Sequence, residues 1–347
     1  MVADTPNPEG NLQPERYPQH DLFICDVADA VLKDVMPQME HPFYSLTKKP
    51  ETAIRRYEHN GQWITITPSV KGLATIYDKD ILIYCISQIM AKIRRGESVP
   101  RTVRISGREL LMFTNRGTAG KDYKALIDSL DRLEGTRIRT NIITGDVEDS
   151  TGFGLIDTSN IKRAHGGDGR LISCELTLSA WLYNAICANE VLTLHRDYFR
   201  LRKPIERRIY ELARKHCGAQ PEIEIRVDTL HKKSGSKGDL KEFRRAVRIL
   251  AEGNHLPDYQ VHFDDVTDRV RFTNRGIPPK IDAAPWQGRM SPDVMHQARE
   301  HAPGWDMHYL EGEWRRWLGA KGITPRAPEK NFIKFCQSWF GKRGAPQ

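Results

Sequence analysis

Lys241, Arg244, Arg245 and Arg248 follow one another at i, i+3, i+4 and i+7, which puts four cations on one face of a helix. No acid interrupts that row. Leu240, Phe243, Val247 and Leu250 form a separate apolar face. A buried stripe with a cationic stripe beside it suits a helix that packs on a core and lays its other side in a nucleic-acid groove. Arginine reads guanine through two parallel hydrogen bonds, and lysine serves phosphate or guanine. Lys232, Lys233 and Lys237 precede the row and are placed to hold the phosphate backbone, and Arg269 and Arg271 follow on a candidate strand. The bland alternative is a solvated basic face.

The same spacing test applied to residues 119–134 gives a weaker result. Lys121, Lys124 and Arg132 alternate with Asp122, Asp128 and Asp131, and carboxylates repel phosphate. Phosphate or protein contact is the expectation there, joined by Arg137, Arg139, Lys162 and Arg163. In the tail, Trp314, Trp317 and Trp339 accompany Arg315, Arg316 and Lys334. Aromatic rings among cations suit stacked bases of single-stranded DNA or a partner protein. A small domain also uses tryptophan simply as core, and that reading stands slightly ahead.

No catalytic constellation emerges. Gly117-Thr118-Ala119-Gly120-Lys121-Asp122 lacks both the spacing of a phosphate loop and the hydroxyl that would follow its lysine. No two histidines flank a single residue, and neither GxSxG nor HExxH occurs. Six scattered cysteines form no CxxC pair, so neither zinc nor a disulfide framework is expected. No cofactor is implied. No apolar run reaches the roughly 20 residues of a membrane span, and a bacterial cytoplasmic setting is the expectation.

Elements must position these residues. Asp78–Arg95 reads as a helix capped by Asp78 and ended by Gly96; residues 101–105 as a strand; 107–114 as a helix with a Ser106/Glu109 capping box; 119–134 as a second helix; and 136–143 with 154–158 as a strand pair. The order then recurs: helix 202–217, strand 222–227, helix 229–233 capped by Asp228, helix 238–252, strands 259–263 and 269–273. Corresponding elements lie about 121 residues apart, an internal repeat. A helix, strand, two helices and a β-ribbon make a winged helix. The expected fold is therefore α+β: two tandem winged helices and a small helical C-terminal module. Phe113–Gly117 recurs letter for letter at Phe272–Gly276, but at a different offset, and reads as coincidence.

The remaining segments bound the domains. Residues 1–40 carry 2 Lys+Arg against 8 Asp+Glu and form an acidic arm, disordered over 1–20 with a short helix at 21–36 ending at Pro37. The first winged helix spans 41–190, including an apolar helix at 178–190 expected to pack the two domains together. The second spans 191–278; 279–292 is a Pro/Gly linker and 293–347 the C-terminal module. The three segments after residue 40 carry net charges of +4, +6 and +4, within a total of +8. A basic body behind an acidic head fits a polyanion partner.

His41-Pro42-Phe43-Tyr44-Ser45-Leu46-Thr47-Lys48-Lys49-Pro50, with stretches 78–90, 123–144 and 152–157, resembles the replication initiator protein A family of alphaproteobacterial plasmids over roughly residues 20–278. The resemblance implies an initiator of the double winged-helix, iteron-binding kind. Such proteins bind repeated sites in origin DNA, open the duplex with the host initiator and recruit the host replicative helicase. They pass between monomer and dimer through the first winged helix and read DNA with the second, at a plasmid or phage origin. The tail from Trp314 to Phe340 resembles the C-terminal module of helicase-loading primosomal proteins. A winged-helix transcriptional regulator is the alternative, with autoregulation of its own gene common to both; a primase or nickase is a distant third.

Overall fold

The computed structural model describes residues 11–17, 32–59, 61–144, 152–163, 171–218, 220–276, 288, 290–321, 325 and 327–346, without the side chains of 163, 171, 172 and 319–321. Two compact units divide the chain, Met1–Gly276 and Ile277–Gln347.

The first unit opens with β1 (Lys33–Val35) and α1 (Met36–Glu40). This corrects the expected helix at 21–36, of which residues 21–31 lie outside the described residues. Pro37 does not stop a helix here. It sits in the first turn of α1, where its missing N–H costs nothing. Residues 11–17 also depart from the expected disorder. Leu12 is buried against a core, and Gln13 exchanges hydrogen bonds with Arg200.

Next come β2 (Arg55–His59), β3 (Gln62–Thr67), α2 (Lys79–Arg94), β4 (Thr102–Ser106), α3 (Gly107–Phe113), α4 (Gly120–Gly135), β5 (Arg137–Thr140), β6 (Phe153–Gly154), β7 (Ile156–Arg163), β8 (Leu171–Leu178), α5 (Ala180–Cys187) and β9 (Val191–Thr193). α2 ends where Gly96 takes φ +76°. Ser106 Oγ accepts the Glu109 amide at 3.5 Å, as the capping box predicts. The alternation in β3 buries Ile64 and Ile66. Tyr123, Leu126, Leu130 and Leu133 bury one stripe of α4. Each fully buried aliphatic side chain contributes about 1.5–3 kcal/mol.

Behind these follow a 3-10 turn (Arg196–Arg200), α6 (Pro204–Cys217), β10 (Glu222–Arg226), α7 (Val227–Ser234), α8 (Leu240–Gly253), β11 (Tyr259–Asp264) and β12 (Arg269–Asn274). α7 begins earlier than expected, and Asp228 lies inside its first turn, accepting the Thr229 amide. Gly235 closes α7 at φ +69°, a left-handed position that suits a residue without a side chain.

The repeat persists in three dimensions. β4 and β10 start at 102 and 222, α3 and α7 at 107 and 227, α4 and α8 at 120 and 240: a constant offset of 120. The three-stranded sheets share an order too, β4-β8-β7 and β10-β12-β11, with the third strand central in each. The offset breaks after α4, because the first copy inserts β5 and β6. The strand pair expected at 136–143 and 154–158 is thus not the ribbon of the first copy. β5 pairs with β3 and only briefly with β6, in a separate sheet ordered β2-β3-β5-β6. β7 and β8 form the ribbon instead.

α5 corrects another expectation. Trp181, Leu182, Ala185 and Ile186 sit within the first core, together with β3, α2 and α4, and do not bridge two domains. A second core gathers Tyr210, Val227, Phe243, Val247, Leu250, Val270 and Phe272. The second unit holds α9 (Pro292–His301), α10 (Met307–Lys321) and α11 (Pro328–Arg343) around a third core.

Candidate nucleic-acid interface

Asp239 starts α8, its Oδ1 accepting the Glu242 amide at 2.7 Å. The helix buries Phe243, Val247 and Leu250 and leaves Lys241, Arg245 and Arg248 exposed, with Arg244 half-exposed. Two of the four cations already hold counter-charges. Arg244 Nε and Nη2 each donate at 2.8 Å to the two carboxylate oxygens of Asp268. Arg248 pairs with Asp265 and lies 5.4 Å from the Phe263 ring centre. The Arg244 guanidinium holds the Asp268 carboxyl below the usual range. Lys241 and Arg245 carry no ion pair among the described residues. The turn between β11 and β12 therefore covers half of the row. Asp264 stays within the turn, accepting from the Val266 amide and the Thr267 hydroxyl. Its acids were legible in the sequence; their reach to α8 was not.

Lys233 and Lys237, expected at the backbone, each face a carboxylate. Lys233 is nearly buried and lies 3.6 Å from Glu40. Lys237 Nζ sits 2.8 Å from Glu51, which also pairs with Arg55 at 2.9 Å. A carboxylate as buried as Glu51 needs cationic partners. Lys232 remains exposed. Arg269 and Arg271 meet Glu224 across β10 and β12, at 3.9 and 2.5 Å.

In the first copy, the acids that weakened α4 are occupied. Lys71 Nζ contacts both Asp128 and Asp131 at 2.6 Å, and Arg132 pairs with Asp78 at 2.7 Å. That pairing also draws the Asp78 side chain away from the capping role expected at the start of α2. Lys121 and Lys124 are exposed and unpaired among the described residues. Arg137 and Arg139 lie on β5, so they do not belong to a ribbon strand as expected. Lys162 is exposed on β7; the Arg163 side chain lies outside the described residues.

Where the two copies meet, charge is buried. Lys79 Nζ lies 2.6 Å from Asp34 and 2.9 Å from Glu211, with all three side chains at 0% exposure. Tyr198 and Arg208 donate to Glu211, at 2.7 and 3.1 Å. Asp80 pairs with Arg207 at 2.7 Å and Arg116 at 2.8 Å. Burial pushes the Asp34 carboxyl up to about 6, against the pull of Lys79. The signal available in the sequence was Asp78-Lys79-Asp80 beside an apolar run, and Glu206-Arg207-Arg208 with Glu211 on α6.

Residues 33–261 match the family profile described as replication initiator protein A. The chain belongs to the replication initiator protein A family. A protein of Wigglesworthia glossinidia brevipalpis, whose name places it in replication, is 37% identical over 258 residues, covering 74% of this chain and 94% of its own length. Solved structures of RctB domains 2 and 3 align at TM-scores of 0.48 and 0.47, with 15% and 13% identity, over 69% and 68% of this chain and 98% and 96% of theirs. The replication initiator protein A segment runs from β1 into β11. It includes α4, α8 and the buried junction, and stops before Arg269 and the C-terminal unit.

In that last unit the tryptophans divide. Trp314 is fully buried and donates from Nε1 to Asn331 at 2.8 Å, so it is core and unavailable for stacking. Trp339 packs with Trp305 and Phe335 under the Arg343 guanidinium, 3.9 Å from its ring centre. Trp317 stays 37% exposed. Arg315 and Arg316 pair with Glu311 and Glu313, and Lys334 is exposed. Among the described residues, no cluster is placed to hold a metal ion, no helix is long and apolar enough to cross a membrane, and five cysteines are free thiols.

Proposed function

We propose that this chain initiates replication by binding repeated duplex sites at a plasmid or phage origin through two tandem winged helices, within residues 41–190 and 191–278. Family membership, the repeated element order and the shared first–third–second strand order support that reading. The observation that carries it is α8: a helix in the second-helix position, apolar on one side, with Lys241, Arg244, Arg245 and Arg248 on another. In this reading α8 enters the major groove, Lys232 and the ribbon of β11 and β12 hold the backbone, and α4 supplies phosphate contacts through Lys121 and Lys124. The first winged helix carries a monomer–dimer equilibrium. Residues 293–347, behind the 279–292 linker, receive the host replicative helicase, and the host initiator assists in opening the duplex. The protein acts in the bacterial cytoplasm and represses its own gene from the same sites.

A gel shift of the purified protein on DNA flanking its own gene, at two salt concentrations and against scrambled DNA, tests this. Laddered, sequence-specific complexes are expected. Weak binding that ignores sequence and vanishes with salt sinks origin recognition.

A further inference from the structure

The sheet β2-β3-β5-β6 has an outer face that the duplex reading does not use. Its inner face is core: Ile64, Ile66, Ile138 and Phe153 are all buried. The strand register defines what stands on the other side. Arg56 lies opposite Thr65, and Thr65 opposite Arg139; Glu58 lies opposite Trp63; Thr67 lies opposite Arg137. Trp63 thus sits diagonal to Arg56 and Arg139, and Arg137 stands two residues along β5. Neighbouring strands lie about 4.8 Å apart and alternate residues about 6.8 Å apart, so the three guanidiniums and the indole occupy one continuous patch.

Two properties define this patch. First, Arg56, Arg137 and Arg139 are exposed and, like Arg245 of α8, have no carboxylate partner among the described residues, whereas Arg55, Arg101, Arg104, Arg132, Arg244, Arg248 and Arg271 all have one. Arg137 donates only to the Gly152 carbonyl. Second, the Trp63 indole is 38% exposed, yet its backbone is pinned. The Trp63 amide donates to Asn141 Oδ1 at 2.8 Å, its carbonyl accepts from Thr140 Oγ1 at 2.6 Å, and Asn141 Nδ2 donates to the Gly61 carbonyl at 2.9 Å. A large ring held at the surface on a rigid strand, beside Glu58 but flanked diagonally on both sides by the guanidiniums of Arg56 and Arg139 with Arg137 beyond, has the chemistry of a stacking platform for an anionic chain with free base faces.

We propose that this sheet face binds single-stranded DNA, with one base stacked on Trp63 and the phosphates on either side taken by Arg56, Arg137 and Arg139. Duplex DNA fits poorly, since its base faces are stacked internally and a flat sheet face does not enter its major groove. The site is separate from α8, so the two activities are separable by mutation. In the proposed initiator it would hold one strand once an origin has opened, but its own test does not depend on that role.

Fluorescence anisotropy of the full-length protein with a labelled oligothymidine of about 15 nucleotides reads the site directly. Trp63→Ala should weaken binding by about fivefold to a hundredfold, the range for loss of one stacked base, while Trp63→Phe retains most of it. Replacing Arg56, Arg137 and Arg139 together with alanine should lower the logarithmic salt slope by about 2. Lys241→Ala with Arg245→Ala should leave oligothymidine binding intact. Ultraviolet cross-linking of a bromouridine-substituted strand should map to Trp63. Because Trp63 is exposed, circular dichroism of its variants should match the parent. Unchanged oligothymidine affinity in both sheet variants overturns the proposal, as does equal weakening of duplex and single-strand binding. A changed sedimentation coefficient with unchanged oligothymidine binding also overturns it, and assigns the face to a second copy of the chain. Loss of duplex specificity in the α8 variant alone bears on the origin reading and leaves this one standing.

Discussion

Arg244 and Asp268 are joined by two parallel hydrogen bonds of 2.8 Å, so the free protein presents a cation of its candidate reading helix already bound to a carboxylate from the neighbouring ribbon. Such exposed pairs are weak in water. A phosphate or guanine can displace Asp268 at little cost, but nonspecific contacts must first compete with it. Asp268→Asn should therefore tighten binding to scrambled DNA more than to the true site and lower the specificity ratio. If Arg244 then gains a phosphate, the logarithmic salt slope steepens by about 0.9. Gel shifts on both DNAs across a salt series measure this, and an unchanged ratio removes the competition argument.

Lys241 and Arg245 are the two cations of α8 without an ion pair among the described residues, and they should dominate first contact. Arg245→Ala should cost about 1–3 kcal/mol of discrimination at one base position if the side chain reads guanine, whereas Lys241→Ala should reduce the salt slope with little change in preference. Quantitative binding to single-base variants of the site separates these outcomes. Equal loss on every sequence assigns both residues to phosphate.

The buried junction makes a stability prediction. Lys79→Met leaves Asp34 and Glu211 facing each other without their shared cation, a change of about 3–5 kcal/mol in the destabilising direction. Adding Asp34→Asn should recover part of the loss, because it removes one uncompensated charge. Urea denaturation of the single and double variants checks the order. A single variant as stable as the parent means water already reaches the site.

Acid should loosen the same region. Burial pushes the His41 and His216 imidazoles down to about 4, His41 among Glu40, Arg208, Lys233 and His59, and His216 among Lys233, Glu40, Lys215 and Arg208. In the unfolded chain both titrate near 6.5. Between those values only the unfolded state takes up the protons, so stability falls as pH falls from about 6.5 toward 4. Asp34, raised to about 6, acts oppositely: the folded chain keeps a proton that the unfolded chain releases, so its contribution falls as pH rises from about 4 to 6. Two groups outweigh one, and urea midpoints should drop between pH 7 and 5. Asp34→Asn should steepen the drop; a shallower profile contradicts the assignment.

Removal of residues 277–347 should leave duplex binding unchanged and abolish replication, since Met1–Gly276 is compact in itself. A plasmid-maintenance assay beside a gel shift decides it. Replication by the truncated chain ends the helicase-docking proposal.

Periodic local signals were the legible part of this fold. α2, α4 and α8 followed from helical periodicity, the end of α2 from Gly96, and the repeat from a nearly constant offset. Longer-range pairing was not legible. Nothing local shows that β5 joins β3 and leaves the ribbon to β7 and β8. The same limit applied to the site. Lys241 and Arg245 stand exposed as their spacing required, but Lys237 reaches Glu51 and Lys233 approaches Glu40, across separations that composition does not encode. Trp314 was ambiguous for a related reason: indole serves core and stacking alike until its neighbours are known.

The Lys79 seam has a geometric corollary. Hinging there would drag three fully buried charges toward water and break the bonds that Tyr198 and Arg208 make to Glu211, so the two repeats are locked in phase. If both copies touch one duplex, as proposed, such a rigid pair works as a caliper: bases inserted between the stretches it contacts rotate one stretch away from its helix, and only about 10.5 base pairs restore the alignment.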